Sequence, residues 1–167
     1  MGEKDKIFTE KVKYAGLFDF KELYRFCYIW LTDNNYFVTE KVYSEKIQPN
    51  GKEVDIEWAS FKGVSDYFKF IITVKWRVLG LTSVEVEKDG KKTKMDKAYL
   101  ELAINGVIEK DYENKWSENA FYSFLRGIYE KYIVKGRVEG YEDKLAEECE
   151  EMIAQIKAFL ALEGKKQ

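Results

Sequence analysis

A chain of 167 residues with 46% hydrophobic and 35% charged residues is long enough to bury one substantial core. Its net charge of −2 gives no global basic field to attract nucleic acid, and no apolar run approaches the roughly 20 residues of a membrane-spanning helix. The absence of histidine excludes Ser–His and Cys–His nucleophile pairs and His-ligated zinc or haem. Since the charged beginning of the chain lacks the apolar segment of a secretory signal, we predict a cytoplasmic protein, without a cofactor or membrane span.

The first strand and the first helix are predicted near the beginning of the chain. Glu10 interrupts the alternation of IFTEKVKY, and an imperfect pattern is typical of an edge strand. Asp19 stands at the N-cap position of the helix, and Glu22 three residues later completes a capping box. The helix carries an apolar stripe at helical spacing, formed by Phe20, Leu23, Tyr24, Cys27, Trp30 and Leu31. The turn-forming residues TDNN are predicted to end it.

A series of extended segments follows as far as Ile108. The most regular is YFKFIITVKWRVL, in which every even-numbered residue from Phe68 to Val78 is apolar and most odd-numbered residues are polar. Asp89-Gly90 is the strongest hairpin turn signal in the chain, and Gly106 stands at a position typical of a β-bulge. These segments predict an antiparallel sheet of about six strands with one apolar and one polar face.

The residues from Ser117 onward follow helical spacing. Ser117 is a plausible N-cap for a second helix, and Gly136 with Gly140 predicts a kink or a break. A last helix is predicted over residues 141–163. Its apolar residues are spaced alternately four and three apart: Leu145, Cys149, Met152, Ile156 and Phe159. Such a stripe suits packing on the protein's own sheet, and it also suits a short coiled-coil seam with another chain.

These elements predict a single α+β domain, residues 1–167, in which a curved antiparallel sheet packs on a long C-terminal helix. The predicted order is β-α-β-β-β-β-β-α-α. It resembles the helix-grip fold of START-type lipid carriers and related pollen-allergen proteins, which implies a hydrophobic ligand held between sheet and helix. The stretches DYFKF, VKWR, GLTSVEVEKDGKK and QIKAFLALE resemble uncharacterised proteins of small-genome archaea, a likeness that implies no activity.

Two groups of side chains are candidate binding sites. Aromatic residues that either line a hydrophobic ligand cavity or fill the core are Trp58, Phe68, Phe70, Trp76 and Tyr99. Lysines that either contact phosphate, an anionic lipid surface or an acidic partner, or protect a strand edge, are Lys88, Lys91, Lys92, Lys94 and Lys97. The large rings of the aromatic group favour a filled core. The hairpin that carries the lysines has no arginine, so nucleic-acid binding has little support there.

The other reactive side chains give no catalytic or metal-binding pattern. The acidic run of Glu147, Glu148, Glu150 and Glu151 lacks the spacing of an EF-hand and predicts a solvated helix face. Cys27 and Cys149 are predicted to be buried thiols, with a disulfide between the first and last helices as the alternative. The carboxylates near turns, which nothing in the sequence brings together as an acid/base pair, are Asp66, Asp111 and Glu113.

The sequence therefore favours a non-enzymatic structural or interaction protein that acts through protein–protein contact, self-assembly included. Large apolar residues expected on outward faces are Phe37, Tyr43, Phe61, Ile71 and Leu79. The alternative is a protein that binds a hydrophobic small molecule or lipid on a helix-grip scaffold, in an enclosed cavity of at least about 300 Å³. A third hypothesis is an enzyme, which requires two carboxylates, or a lysine and a carboxylate, in one cleft.

Overall fold

A computed structural model of the chain describes residues 3–110, 120–128 and 135–164. Its elements in chain order are β1 (Glu3–Phe18), α1 (Phe20–Asp33), β2 (Phe37–Gln48), β3 (Gly51–Gly63), β4 (Phe68–Lys88), β5 (Lys91–Lys110), α2 (Ala120–Ile128) and α3 (Lys135–Gly164). The strands form one antiparallel sheet in the order β1-β5-β4-β3-β2. The predicted α+β class, an antiparallel sheet with a C-terminal helix, is confirmed, and so is the edge position of β1.

The described sheet has five strands where the sequence predicts about six. The difference arises because β4 continues past Gly80 and Leu81, where the register with β5 shifts, and pairs again from Thr82. Gly80 has a φ of +66°, which glycine adopts without steric cost, so the irregularity interrupts the register without ending the strand. The predicted turn at Asp89-Gly90 is confirmed, with φ of 53° and 77°, but it joins the far ends of β4 and β5.

One face of the sheet is buried beneath α1 and α3. The even-numbered residues from Phe68 to Val78 are at most 2% exposed, whereas Lys75 and Arg77 on the other face are exposed. The helical residues that meet this face include Leu23, Cys27 and Leu31 of α1 and Leu145, Cys149, Met152 and Ile156 of α3, each 0% exposed. The apolar stripe of α3 therefore packs on the sheet of the same chain, as the intramolecular interpretation predicts.

Gly106 allows α3 to approach the sheet closely and is not a bulge. The register shift lies on the neighbouring strand, between Lys6 and Phe8 of β1. A Cβ atom on Gly106 would lie 2.8 Å from Cys149 Sγ and 3.3 Å from Leu145 Cγ. Glycine is needed here because any side chain would occupy space that α3 already fills.

The predictions for the C-terminal part are partly corrected. The expected break at Gly136 and Gly140 is wrong, because α3 is one helix from Lys135 to Gly164, and the alternative of a kink stays a prediction. Helix α2 confirms a helix after residue 116, while its proposed N-cap, Ser117, lies outside the described residues. Within the described part of the chain, no helix combines the length and apolarity that crossing a membrane requires.

The start of α1 confirms Asp19 as the predicted N-cap and adds a second capping carboxylate. Asp19 Oδ1 accepts a hydrogen bond from Glu22 N at 3.1 Å, and Asp96 Oδ2 of β5 accepts one from Phe20 N at 3.0 Å. The Glu22 carboxylate lies 3.2 Å from Arg25 Nη1 on the next turn. The two aspartates thus satisfy N–H groups that have no partner inside the helix.

Replacing Asp19 with alanine is expected to lower the free energy of unfolding by about 1 kcal/mol, because the first turn loses a cap. Urea denaturation followed by circular dichroism measures the change. Asp33→Ala at the opposite end of α1 is the control, since a carboxylate there is unfavourable to the helix dipole. An equal loss in both variants would show that Asp19 does not act as a cap.

Candidate functional site

The aromatic residues predicted to line a ligand cavity are divided between the two faces of the sheet. Those at most 2% exposed beneath the helices are Trp58, Phe68, Phe70 and Trp76. Tyr99 is half-buried on the opposite face, with its hydroxyl 3.5 Å from Glu101 Oε2, so it lies outside the sheet–helix interior. Ligand binding by the other four stays a prediction.

Side chains in contact occupy the interior between sheet and helices. The ring centroids of Trp58 and Trp76 are 5.3 Å apart, and those of Phe68 and Tyr141 of α3 are 5.0 Å apart. The ring centroids of Phe26 in α1 and Phe159 in α3 are 5.4 Å apart. These separations are typical of packed aromatic rings.

All five lysines of the predicted anionic contact are exposed near the β4–β5 turn: Lys88, Lys91, Lys92, Lys94 and Lys97. Lys92 and Lys94 lie opposite Glu87 and Glu85 in the strand register. Opposite charges across the hairpin offset part of the positive field. Binding of phosphate, lipid or an acidic partner at this tip stays a prediction.

Charged residues cover much of the sheet face opposite the helices. Lys75 lies 3.7 Å from Glu57, and Lys11 lies 3.0 Å from Glu101. The hydrogen bond from Lys11 holds the pKa of Glu101 below its usual value. These charges alternate in sign from strand to strand, so they balance one another and do not select a ligand of one charge.

Strand β2 exposes large apolar side chains at an edge of the sheet. Ile47 is 87% exposed and Phe37 64%, and Val42 and Tyr43 are also exposed. Among the described residues, β2 has one neighbouring strand, β3. Its outer side therefore presents main-chain N–H and C=O groups that a further strand can pair with.

The outward apolar residues predicted from the sequence lie around this edge. Phe37, Tyr43 and Phe61 are exposed, whereas Ile71 and Leu79 are half-buried. The rings of Phe37 and Phe61 lie 5.2 Å apart on the uncovered face. Tyr43, opposite Ile56, lies on the helix side of the sheet instead. The exposed apolar surface thus extends to both faces of β2.

The charges of β2 alternate in sign along the strand. Glu40, Lys41, Glu45 and Lys46 are all exposed, and a register shift in the pairing with β3 falls at Lys41. Lysines and bulges on an edge strand limit uncontrolled pairing. Any partner of this edge must therefore match its charges as well as its apolar side chains.

An aromatic pocket of about 480 Å³ lies beside β2, against the surface of α1. Its lining residues are Phe20, Lys21, Tyr24, Arg25, Tyr28 and Tyr43. Tyr24 lies at its base, with its ring centroid 5.0 Å from Trp58 and 5.9 Å from Trp76. The core aromatics therefore support the pocket from below.

Two carboxylates fix the tyrosines of the pocket. Glu40 Oε2 accepts hydrogen bonds from the Tyr24 hydroxyl at 2.5 Å and from Trp58 Nε1 at 2.9 Å, and Glu45 accepts one from Tyr43 at 2.9 Å. Burial, then the hydrogen bond to Glu40, raises the pKa of Tyr24 to about 12. Burial and Glu45 likewise raise the pKa of Tyr43 to about 12. Both phenols stay protonated at neutral pH and act as donors.

A lysine–carboxylate pair lies partly buried between β3 and α3. Lys62 Nζ lies 2.6 Å from Glu148 Oε1, with side-chain exposures of 15% and 12%. The ammonium group also lies 4.6 Å from the ring centroid of Tyr36 and 5.8 Å from that of Phe70. Glu148 is thus not part of a solvated helix face, whereas its acidic neighbours Glu147, Glu150 and Glu151 are exposed.

The groups around this pair are poorly suited to catalysis. Burial, then the negative charge of Glu148, raises the pKa of Tyr36. Burial raises the pKa of Cys149 to about 12, and burial also raises the pKa of Cys27. Neither thiol is therefore a nucleophile at neutral pH. Both cysteines are free and buried, as predicted, and the alternative disulfide is not formed. Asp66 is exposed, and its suggested partners Asp111 and Glu113 lie outside the described residues.

Comparisons with known proteins add no family to these observations. No protein-family model, no curated protein and no solved structure matches the chain. This result neither supports nor contradicts the resemblance to helix-grip proteins or to uncharacterised archaeal proteins. In the part of the chain that the structure describes, no three Cys, Asp or Glu side chains are grouped to hold a metal ion.

Proposed function

We propose that the protein is a non-enzymatic interaction protein that associates with a second copy of itself through strand β2. The observation that carries this proposal is the exposure of Ile47 and Phe37, 87% and 64%, on a sheet edge. An edge strand with large exposed apolar side chains is a template for pairing with another strand. Association removes these side chains from water, which is the main driving force for most protein contacts.

A second copy is the partner that suits the charges of β2. Antiparallel pairing of two β2 strands gives a two-fold interface in which each copy presents the same residues. In the register that places Tyr43 opposite Tyr43 of the second copy, Lys41 of each copy lies alongside Glu45 of the other. Opposite charges across strands contribute about 0.2–1 kcal/mol each, and like charges oppose pairing by similar amounts. The strand is therefore complementary to itself in charge.

The hydrophobic-ligand alternative has less support, because the rings of Trp58 and Trp76 are in contact where an enclosed cavity would have to lie.

A cytoplasmic location is part of our proposal. Two buried, free thiols suit a reducing compartment.

Charge reversal on β2 tests the proposed pairing. Sedimentation velocity at increasing concentration is expected to show a reversible dimer of the wild-type chain. Lys41→Glu and Glu45→Lys are each expected to weaken dimerisation about tenfold, because each reversal places like charges at two symmetry-related contacts. The double variant restores opposite charges and is expected to recover most of the affinity.

Two further variants complete this experiment. Ile47→Lys removes an apolar contact and adds a charge at the edge, and it is expected to give a monomer. Lys92→Glu, at the β4–β5 turn, is the control and leaves dimerisation unchanged. A wild-type chain that stays monomeric at every concentration, or a double variant as weak as the singles, contradicts the proposal.

A further inference from the structure

The surface of α1 that faces the aromatic pocket carries two parallel rows of side chains. Phe20, Tyr24 and Tyr28 are spaced four residues apart and form an aromatic row. Lys21 and Arg25, each one residue further along, form a basic row beside it. A volume of about 480 Å³ lies within the range of small-molecule sites, about 300–1,000 Å³.

The aromatic rings of this pocket are held in place but remain accessible. Tyr28 and Tyr43 are 45% and 47% exposed. Tyr43 packs nearly perpendicular to Tyr24 at 6.5 Å, and Tyr28 packs nearly perpendicular to Trp58 at 6.2 Å. Since the hydroxyls of Tyr24 and Tyr43 donate to Glu40 and Glu45, the rings have little freedom to turn. A flat ligand thus meets rings that are already ordered, which lowers the entropic cost of binding.

The charges of the lining favour an anion. Lys21 and Arg25 line the pocket, whereas Glu40 and Glu45 do not, and these two carboxylates accept hydrogen bonds from the hydroxyls of Tyr24 and Tyr43. The Arg25 guanidinium forms an exposed ion pair with Glu22, with Nη1 3.2 Å from Oε1. Such pairs are weak, and a guanidinium has five N–H donors, so Arg25 can bind a second anionic group.

We propose that this pocket binds a planar aromatic compound with one anionic group, such as a carboxylate or a phosphate. The ring of the ligand stacks against Tyr28 and Tyr43, and its anionic group lies on Lys21 and Arg25. This site adjoins the strand pairing proposed above and shares Tyr43 with it, whereas Ile47 and Phe37 do not line it.

Three naphthalene probes that differ in charge test the site in the full-length chain: naphthoate, naphthamide and naphthyl-trimethylammonium. Affinities come from calorimetry. Naphthoate is expected to bind about fivefold more tightly than naphthamide, the advantage that weak exposed ion pairs provide. Equal affinities, tighter binding of the cationic probe, or no binding of naphthoate would overturn the proposal.

Variants separate the contribution of charge from that of stacking. The double variant Lys21→Gln with Arg25→Gln is expected to remove the advantage of naphthoate and leave the affinity for naphthamide unchanged. Tyr28→Ala is expected to weaken both probes about fivefold, because a stacking face is lost. Lys92→Gln is the control at a remote surface. Ile47→Lys, at a residue outside the lining, is expected to bind naphthoate as the wild type does. Loss of binding in that variant would show that the site requires the paired strand, and would overturn its assignment to a single chain.

Discussion

Replacing Glu148 with leucine while Lys62 remains is expected to lower the free energy of unfolding by about 3 kcal/mol. The two groups lie 2.6 Å apart and are largely withdrawn from water. Removal of one partner leaves the other charge buried without compensation, and its desolvation is then unopposed. Urea denaturation followed by circular dichroism measures the loss, provided that the slope of the transition is unchanged.

Two matched variants distinguish the buried pair from an ordinary ion pair. The double variant Lys62→Met with Glu148→Leu removes both charges and is expected to be more stable than Glu148→Leu alone. Lys75→Met breaks an exposed pair with Glu57 at 3.7 Å and is expected to cost less than about 1 kcal/mol. A double variant as unstable as the sum of its two singles would contradict the role assigned to the pair.

Replacing Gly106 with alanine is expected to lower the free energy of unfolding by about 2 kcal/mol, through overpacking beneath α3. The added Cβ would lie 2.8 Å from Cys149 Sγ, closer than van der Waals contact permits. Either the helix moves away from β5 or the strand shifts. Thermal and urea denaturation of the purified variant measure the effect.

The matched controls for Gly106 use the partner atom and a second glycine. Cys149→Ala removes the sulfur, so the pair Gly106→Ala with Cys149→Ala is expected to be more stable than the sum of the single changes predicts. Gly140→Ala, where an added Cβ would meet nothing within 4 Å, is expected to raise stability by about 0.5 to 1 kcal/mol. Strictly additive changes at 106 and 149 would show that the close contact is not the cause.

Local patterns in the sequence predicted much of the sheet and the first helix. The alternation from Phe68 to Val78 identified the buried face because successive strand residues point to opposite sides. Asp89-Gly90 and Asp19 were identified as turn and cap because each acts on backbone groups within three residues of itself. The count of strands failed at Gly80, since a glycine between two strands and a glycine inside one strand look alike in sequence.

The sites depend on contacts that local patterns do not reveal. Lys62 and Glu148 are 86 residues apart in sequence. The acidic neighbours of Glu148 made the whole run resemble a solvated helix face. A signal was present, because Glu148 follows Leu145 by three residues and precedes Met152 by four, which places it on the buried stripe of α3. The aromatic pocket likewise needs Tyr43 of β2 beside α1, and the order of strands in the sheet decides that contact.

The pairing of β2 with a second copy is tested most directly by amide hydrogen exchange of Phe37–Gln48 at protein concentrations from about 1 µM to about 1 mM. If two β2 strands pair, the outward amides of this strand are expected to exchange more slowly as concentration rises, while those of β1 stay unchanged. Exchange of the β2 amides that is the same at every concentration would contradict the proposed association.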